Sequence, residues 1–154
     1  GSMTAGGVSS LAIIKERLRD AELLTPADAR LIDKGINDGF AWLDRSFTVE
    51  RNPGRRDWHY YYLYSLERAC SLLGVKSIGT NDWYQKGAEY LLKVQTPNTD
   101  QQTTEWPPIP EQGGSGIRWF QGKILQSCFA LLFLKRGTEP PRETVRPPVV
   151  TGDR

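Results

Sequence analysis

The sequence predicts an all-α protein assembled from antiparallel helical hairpins, and three observations carry that expectation. Eight of the ten prolines lie at or after Pro97, which leaves proline-free intervals from Ala27 to Asn52, Gly54 to Thr96 and Glu111 to Glu139. Helix interiors need such intervals, because the proline ring removes an N–H and clashes with the preceding turn. Inside them, apolar residues recur at the three- and four-residue spacing that lines one helix face, and no segment alternates convincingly as a strand does. Two blocks of the chain also repeat, as paired helices do when neither can bury its apolar side alone.

A first helix is expected from about Ser10 to Leu24, with Leu11, Ile14 and Leu18 on one side, stopped by Thr25-Pro26. Thr25 then caps a second helix to about Phe47, with Pro26 at the first position and Asp28 in the first turn, where the helix dipole favours an acid. Its buried stripe would be Leu31, Ile32, Gly35, Ile36, Gly39, Trp42 and Leu43. Asn52-Pro53-Gly54 reads as a turn, after which Asp57 can cap a third, unusually aromatic helix to Leu73, closed by Gly74. Asn81 or Asp82 caps a fourth helix from Trp83 to about Gln95, ended by Thr96-Pro97. From Thr96 to Arg118 a long Pro/Gly loop is expected, extended at Pro107–Pro110 and flexible at Gly113–Gly116. A fifth helix should run from about Trp119 to Arg136, before a Pro-rich tail, residues 138–154, that is expected to be disordered. Gly1-Ser2-Met3 reads as a cloning scar and residues 1–8 as a disordered leader, leaving 9–137 as the helical domain.

Composition narrows the function. Twenty Lys and Arg against 18 Asp and Glu leave a net charge of +2, too balanced for a polyanion-binding domain, so nucleic acid is not an expected partner. The 38% hydrophobic content is enough for a packed core and excludes disorder throughout. The longest uncharged apolar run, Cys128 to Leu134, is far short of the ~20 residues that span a bilayer, so no membrane span is expected. Cys70 and Cys128 are too few for a disulfide framework or a four-ligand zinc site and read as two buried thiols, the alternative being a single disulfide between them. His59 and Cys70 lie on one helix 11 residues apart, a rise of ~16 Å, which is too far to share a metal ion. No metal and no cofactor are expected.

The repeat is explicit in the residues. Gly39 to Thr48 aligns with Gly87 to Thr96, a shift of 48, and Tyr61 to Ala69 aligns with Phe129 to Gly137, a shift of 68, the difference being the Pro/Gly loop. Lys86-Gly87-Ala88-Glu89-Tyr90-Leu91-Leu92-Lys93-Val94-Gln95 resembles the front of the QW motif of the prenyltransferase and squalene oxidase repeat superfamily, which includes terpene cyclases. Together with Tyr61 to Arg68, Asp82-Trp83-Tyr84 and Phe129 to Arg136, it looks like the terminal repeats of bacterial proteins of mostly unassigned function, common among planctomycetes. The resemblance covers roughly Ala29 to Gly137 and implies a partial α/α toroid. The chain departs from that pattern after Gln95, where the Gly-x-Trp tail is missing, and it contains neither the D-x-D-D acid motif of the cyclases nor the D-x-C zinc pair of the prenyltransferases. What is implied is a non-catalytic ligand-binding or protein-interaction module, part of a larger bacterial protein. The alternative is a fragment of a terpene cyclase-like or carbohydrate-active enzyme whose remaining catalytic residues lie elsewhere. Either way the inner faces would need covering, by upstream repeats, by a second copy, or by the N-terminal helix and the long loop as a lid.

Candidate site residues concentrate on the third helix. Asp57, Tyr60, Tyr61, Tyr64 and Glu67 share one face at helical spacing, beside an apolar face of His59, Leu63, Leu66, Cys70 and Leu73. The resemblance implies that this helix lines a cavity, where tyrosines and two carboxylates suit carbohydrate stacking, cation stabilisation or acid–base work. The plainer expectation is that the tyrosine hydroxyls and Glu67 satisfy one another and Asp57 is only the cap. Trp106, Trp119 and Phe120 are expected to fold back over the open end of a hairpin, the alternative being a binding lip, and Arg55-Arg56 reads as a solvated turn.

Overall fold

The computed structural model describes residues 1–55, 57–98, 103–106 and 119–135, with side chains of the last segment from Ile124 onward. Arg56, the Pro107–Pro110 and Gly113–Gly116 stretches, the Pro-rich tail and the Trp119 and Phe120 side chains lie outside the described residues. Helices α1 (Ser2–Asp20), α2 (Pro26–Arg45), α3 (His59–Leu72), α4 (Trp83–Val94) and α5 (Trp119–Lys135) dominate, and the all-α expectation holds broadly. Two short antiparallel ribbons were not expected: β1 (Ser77–Ile78) with β2 (Asn81–Asp82), and β3 (Thr96–Asn98) with β4 (Thr103–Glu105). Strands of two or three residues are too short to show alternation. The first is closed by Gly79-Thr80, with Gly79 at φ +55°, the left-handed geometry that two-residue hairpins require.

The first helix begins at Ser2, so the expected disordered leader is its opening turns. Gly6 and Gly7 are poor helix formers, but packing overrides propensity. Ser2, Ala5, Val8 and Ala12 recur at helical spacing and are all buried, which lets α1 lie close to α3. Asn52 anchors this end. Its amide oxygen accepts the Ser2 N–H at 2.9 Å, and its amide nitrogen donates to the Asp57 carbonyl at 2.9 Å and the Ser2 hydroxyl at 3.2 Å.

The α2 cap is as expected: Thr25 is extended and its hydroxyl accepts the Asp28 N–H at 3.1 Å. Ile32, Ile36 and Leu43 are buried, but Leu31, expected in the stripe, is 71% exposed. It lies about 100° round the helix from Ile32. The buried face of α2 meets α1 closely and antiparallel, with Ile32 and Ile36 packed together with Val8 and Ala12. A Cβ at Gly39 would collide with Val8, one at Gly35 would reach 2.8 Å from Leu11, and Lys15 pairs with Asp33.

Asp57 is not the cap of α3. Its carboxylate is held by Arg55 at 2.9 and 3.0 Å, and Trp58 occupies the cap position in the left-handed region, φ 59° and ψ 34°, with no side-chain cap. The far end follows the expectation. Gly74 sits at φ +64°, the Val75 N–H reaches the Cys70 carbonyl at 2.8 Å and the Gly74 N–H reaches Ser71 at 3.3 Å, a Schellman closure. At α4 the open choice resolves to Asp82, which accepts the Gln85 N–H at 2.8 Å, while Asn81 donates to the Ile78 carbonyl.

The arrangement places α3 at the centre, between α1 on one side and α5 on the other. Taking each half of the repeat as one hairpin would join α2 to α3, but α2 instead lies antiparallel against α1, which packs directly on both of them. The α4–α5 hairpin is antiparallel as expected: Gly87 lies under the Phe133 ring, and the Tyr84 hydroxyl donates to the Leu134 carbonyl at 3.0 Å. Trp106, delivered by the second ribbon, is 3% exposed and donates its indole N–H to the Leu91 carbonyl at 2.9 Å, so it closes the hairpin rather than forming a lip.

Gly87 therefore tests the hairpin. A Cβ there would overlap the Phe133 ring, and Gly87→Ala should destabilise the protein by about 1–3 kcal/mol in urea unfolding. Gly7→Ala meets nothing within 4 Å and should instead stabilise the protein by about 0.5–1 kcal/mol.

Candidate functional site

The five candidate residues on and before α3 divide into two environments. Tyr60 and Glu67 are interior, at 2% and 1% exposure, so the helix edge they occupy is packed rather than open to a ligand. Burial, followed by the neighbouring Tyr90, pushes the Tyr60 phenol well above its usual range. Glu67 accepts the Ser71 hydroxyl at 2.9 Å, one turn further along the helix. Tyr61 and Tyr64 lie on the rim and are half-buried. Asp57, also half-buried, remains with Arg55, and its face position is realised outside the helix.

The residues that come together are aromatic. Tyr64 stacks on Phe129 of α5 with centroids 5.3 Å apart, Tyr61 meets the same ring at 5.4 Å, and Trp58 stands edge-on to Tyr61 at 6.3 Å. The result is a ridge, Trp58–Tyr61–Phe129–Tyr64, along the junction of α3 and α5. Trp58 is 44% exposed although it is a bulky residue in left-handed backbone, a conformation that costs on the order of 1–2 kcal/mol. The sequence reading omitted Phe129 and Trp58 from the site. For Phe129 a signal was present, because the repeat alignment sets it on Tyr61, and these equivalent positions are in contact.

Behind the ridge lies His59, 2% exposed, with its ring 5.1 Å from Tyr90 and 5.6 Å from Tyr60. Nε2 lies 2.8 Å from the Val49 carbonyl, so that nitrogen carries the proton and donates. Nδ1 is buried and has no hydrogen-bond partner among the described residues. Burial lowers the basicity of the imidazole, and the bond to Val49 only partly offsets this. Cys70 is fully buried, and its thiol is pushed well up by burial and then by Glu67, which makes it a core side chain rather than a nucleophile. Cys128, expected to be buried as well, is exposed. Among the described residues no cluster of three or more His, Cys, Asp or Glu could hold a metal ion, and no helix is long and apolar enough to cross a membrane.

Compared with known protein families, curated proteins and solved structures, the chain matches none. Its function is therefore argued from these surfaces.

His59 supplies a pH prediction. Its folded pKa lies below the value of 6.5 for a free imidazole, so the unfolded chain binds the proton more readily. Stability should be fully present above pH 6.5 and decline as the pH falls below it. Thermal unfolding midpoints from pH 8 down to about pH 5 should show this decline. His59→Gln, which keeps a donor for Val49, should remove that part of the slope.

Proposed function

We propose that this chain is a non-catalytic protein-interaction module, built on helical hairpins of the kind its sequence resembles and working as part of a larger bacterial protein. One observation carries the reading: α5 is apolar on all sides, and among the described residues only one side is covered. Ala130 and Phe133 are buried, whereas Ile124, Leu125, Leu131 and Leu132 are 56%, 40%, 55% and 46% exposed, and Cys128 lies open among them. These five positions fall on one helix face. Scattered exposed leucines are ordinary, but a contiguous stripe marks a contact surface, because a helix apolar all round belongs in an interior. The aromatic ridge borders this stripe through Phe129 and extends the apolar surface.

The same environments weigh against catalysis at α3. Glu67 is enclosed and Asp57 is paired with Arg55, so the two carboxylates do not face a common substrate position. The missing cyclase and prenyltransferase motifs agree with that reading.

Cys128 is a built-in reporter for the proposal. In the dilute isolated chain it should alkylate at the rate of a free thiol, while Cys70 stays unreactive until the protein unfolds. In the protein labelled inside its own cells, at its native concentration and beside its native partners, Cys128 should react at least about tenfold more slowly, the ratio expected if a cover of only ~1.4 kcal/mol must open first. Equal rates in the two settings would overturn this contact surface.

A further inference from the structure

We propose that the exposed stripe of α5 binds a second copy of this chain, with the two α5 helices antiparallel about a two-fold axis beside Cys128. This inference rests on the stripe being a contact surface, and it names the occupant. The stripe is self-complementary. Ile124 and Leu125 lie on one side of Cys128, Leu131 and Leu132 on the other, at nearly equal separations along the helix. Reversing a second α5 about that point sets Leu131 against Ile124 of the second copy and Leu132 against Leu125 of the second copy, with the two Cys128 residues facing at the centre. Each contact then occurs twice, as a two-fold interface requires.

Charge agrees with this occupant, and area sets how tightly it is held. No acid or base interrupts the stripe from Ile124 to Leu132, and Lys135 stands one turn beyond, at the rim. A stripe with no charge of either sign has nothing to pair with an acidic or basic partner, whereas a copy of itself matches it apolar on apolar. Four side chains about half exposed, with Cys128, offer on the order of 450 Å² per copy, so a pair would bury roughly 900 Å². That is below the ~1,200 Å² of stable complexes and places the dimer among weak, reversible ones.

Sedimentation equilibrium of the whole chain from about 1 μM to about 1 mM should show a monomer passing to a dimer, since weak interfaces have dissociation constants within that span. A short bismaleimide should capture the dimer through Cys128, and Cys128→Ser should abolish capture without changing the equilibrium. Leu131→Glu should weaken association by about tenfold or more, because it buries a carboxylate without a partner. Adding Ile124→Lys to Leu131→Glu should restore association, because the geometry sets each lysine against a glutamate of the other copy. These positions are exposed, so circular dichroism and the unfolding midpoint should not move. Failure of the double variant to recover association would overturn the antiparallel register. A monomer throughout the range would overturn the dimer. Slow Cys128 alkylation in the cellular protein, seen together with that monomer, would leave the contact surface standing with a different occupant; fast alkylation would remove both.

Discussion

The constraint on which the structure depends is the enclosure of α3. A helix with neighbours on two sides has little solvent-facing surface, so each polar group on it needs a protein partner. His59 meets this at Nε2 with the Val49 carbonyl though not at Nδ1, Ser65 with the Tyr61 carbonyl one turn back, and Ser71 with Glu67. Tyr62, fully buried, donates its hydroxyl to the Thr48 carbonyl in the segment that precedes the helix. These bonds fix the course of the α2–α3 connection. Asn52 extends the same role to α1, tying Ser2 to the carbonyl just before α3, so one amide sets the position of two helices.

Enclosure also explains why the neighbours have the residues they do. On the α1 side, Ala5, Val8 and Ala12 permit close approach, and Gly35 and Gly39 allow α2 to lie equally close behind α1. On the other side the Phe129 ring takes up the space beside Tyr61 and Tyr64, and beyond it, between α5 and α4, Phe133 stacks on Tyr84 and stands edge-on to Trp83. Small residues against one flank and aromatics against the other are two solutions to the same packing problem.

Much of this was legible where local chemistry decides the outcome. The Thr25 and Asp82 caps and the Gly74 closure follow from short motifs whose hydrogen bonds are made within five residues, and the existence of α2 to α5 from proline-free intervals with helical periodicity. Features that depend on partners distant in sequence were not. Residues 1–8, read as a disordered leader, open a helix that α3 stabilises from some fifty residues away, and Asn52, read as a turn residue, proves to be a long-range anchor. The α3 face read as a single site because helical spacing records angle but not neighbour, and it was the neighbours that separated buried Tyr60 and Glu67 from the rim pair Tyr61 and Tyr64. Cys128 illustrates the same limit: an apolar run suggests burial, but it cannot say which side of the helix receives a cover.

α3 and α5 differ in how far they are covered, although both are apolar enough to be interior helices. α3 is one, because α1 and α5 flank it. Among the described residues α5 has α3 and α4 along its inner side and no element against the Ile124–Leu132 stripe. Moving Leu131 or Leu132 from water to an apolar surface is favourable by roughly 25 cal/mol per Å², so a partner helix there gains what α1 gains on α3, less the cost of bringing two separate bodies together. That cost is why the same kind of surface gives a permanent core within the chain and a reversible contact outside it.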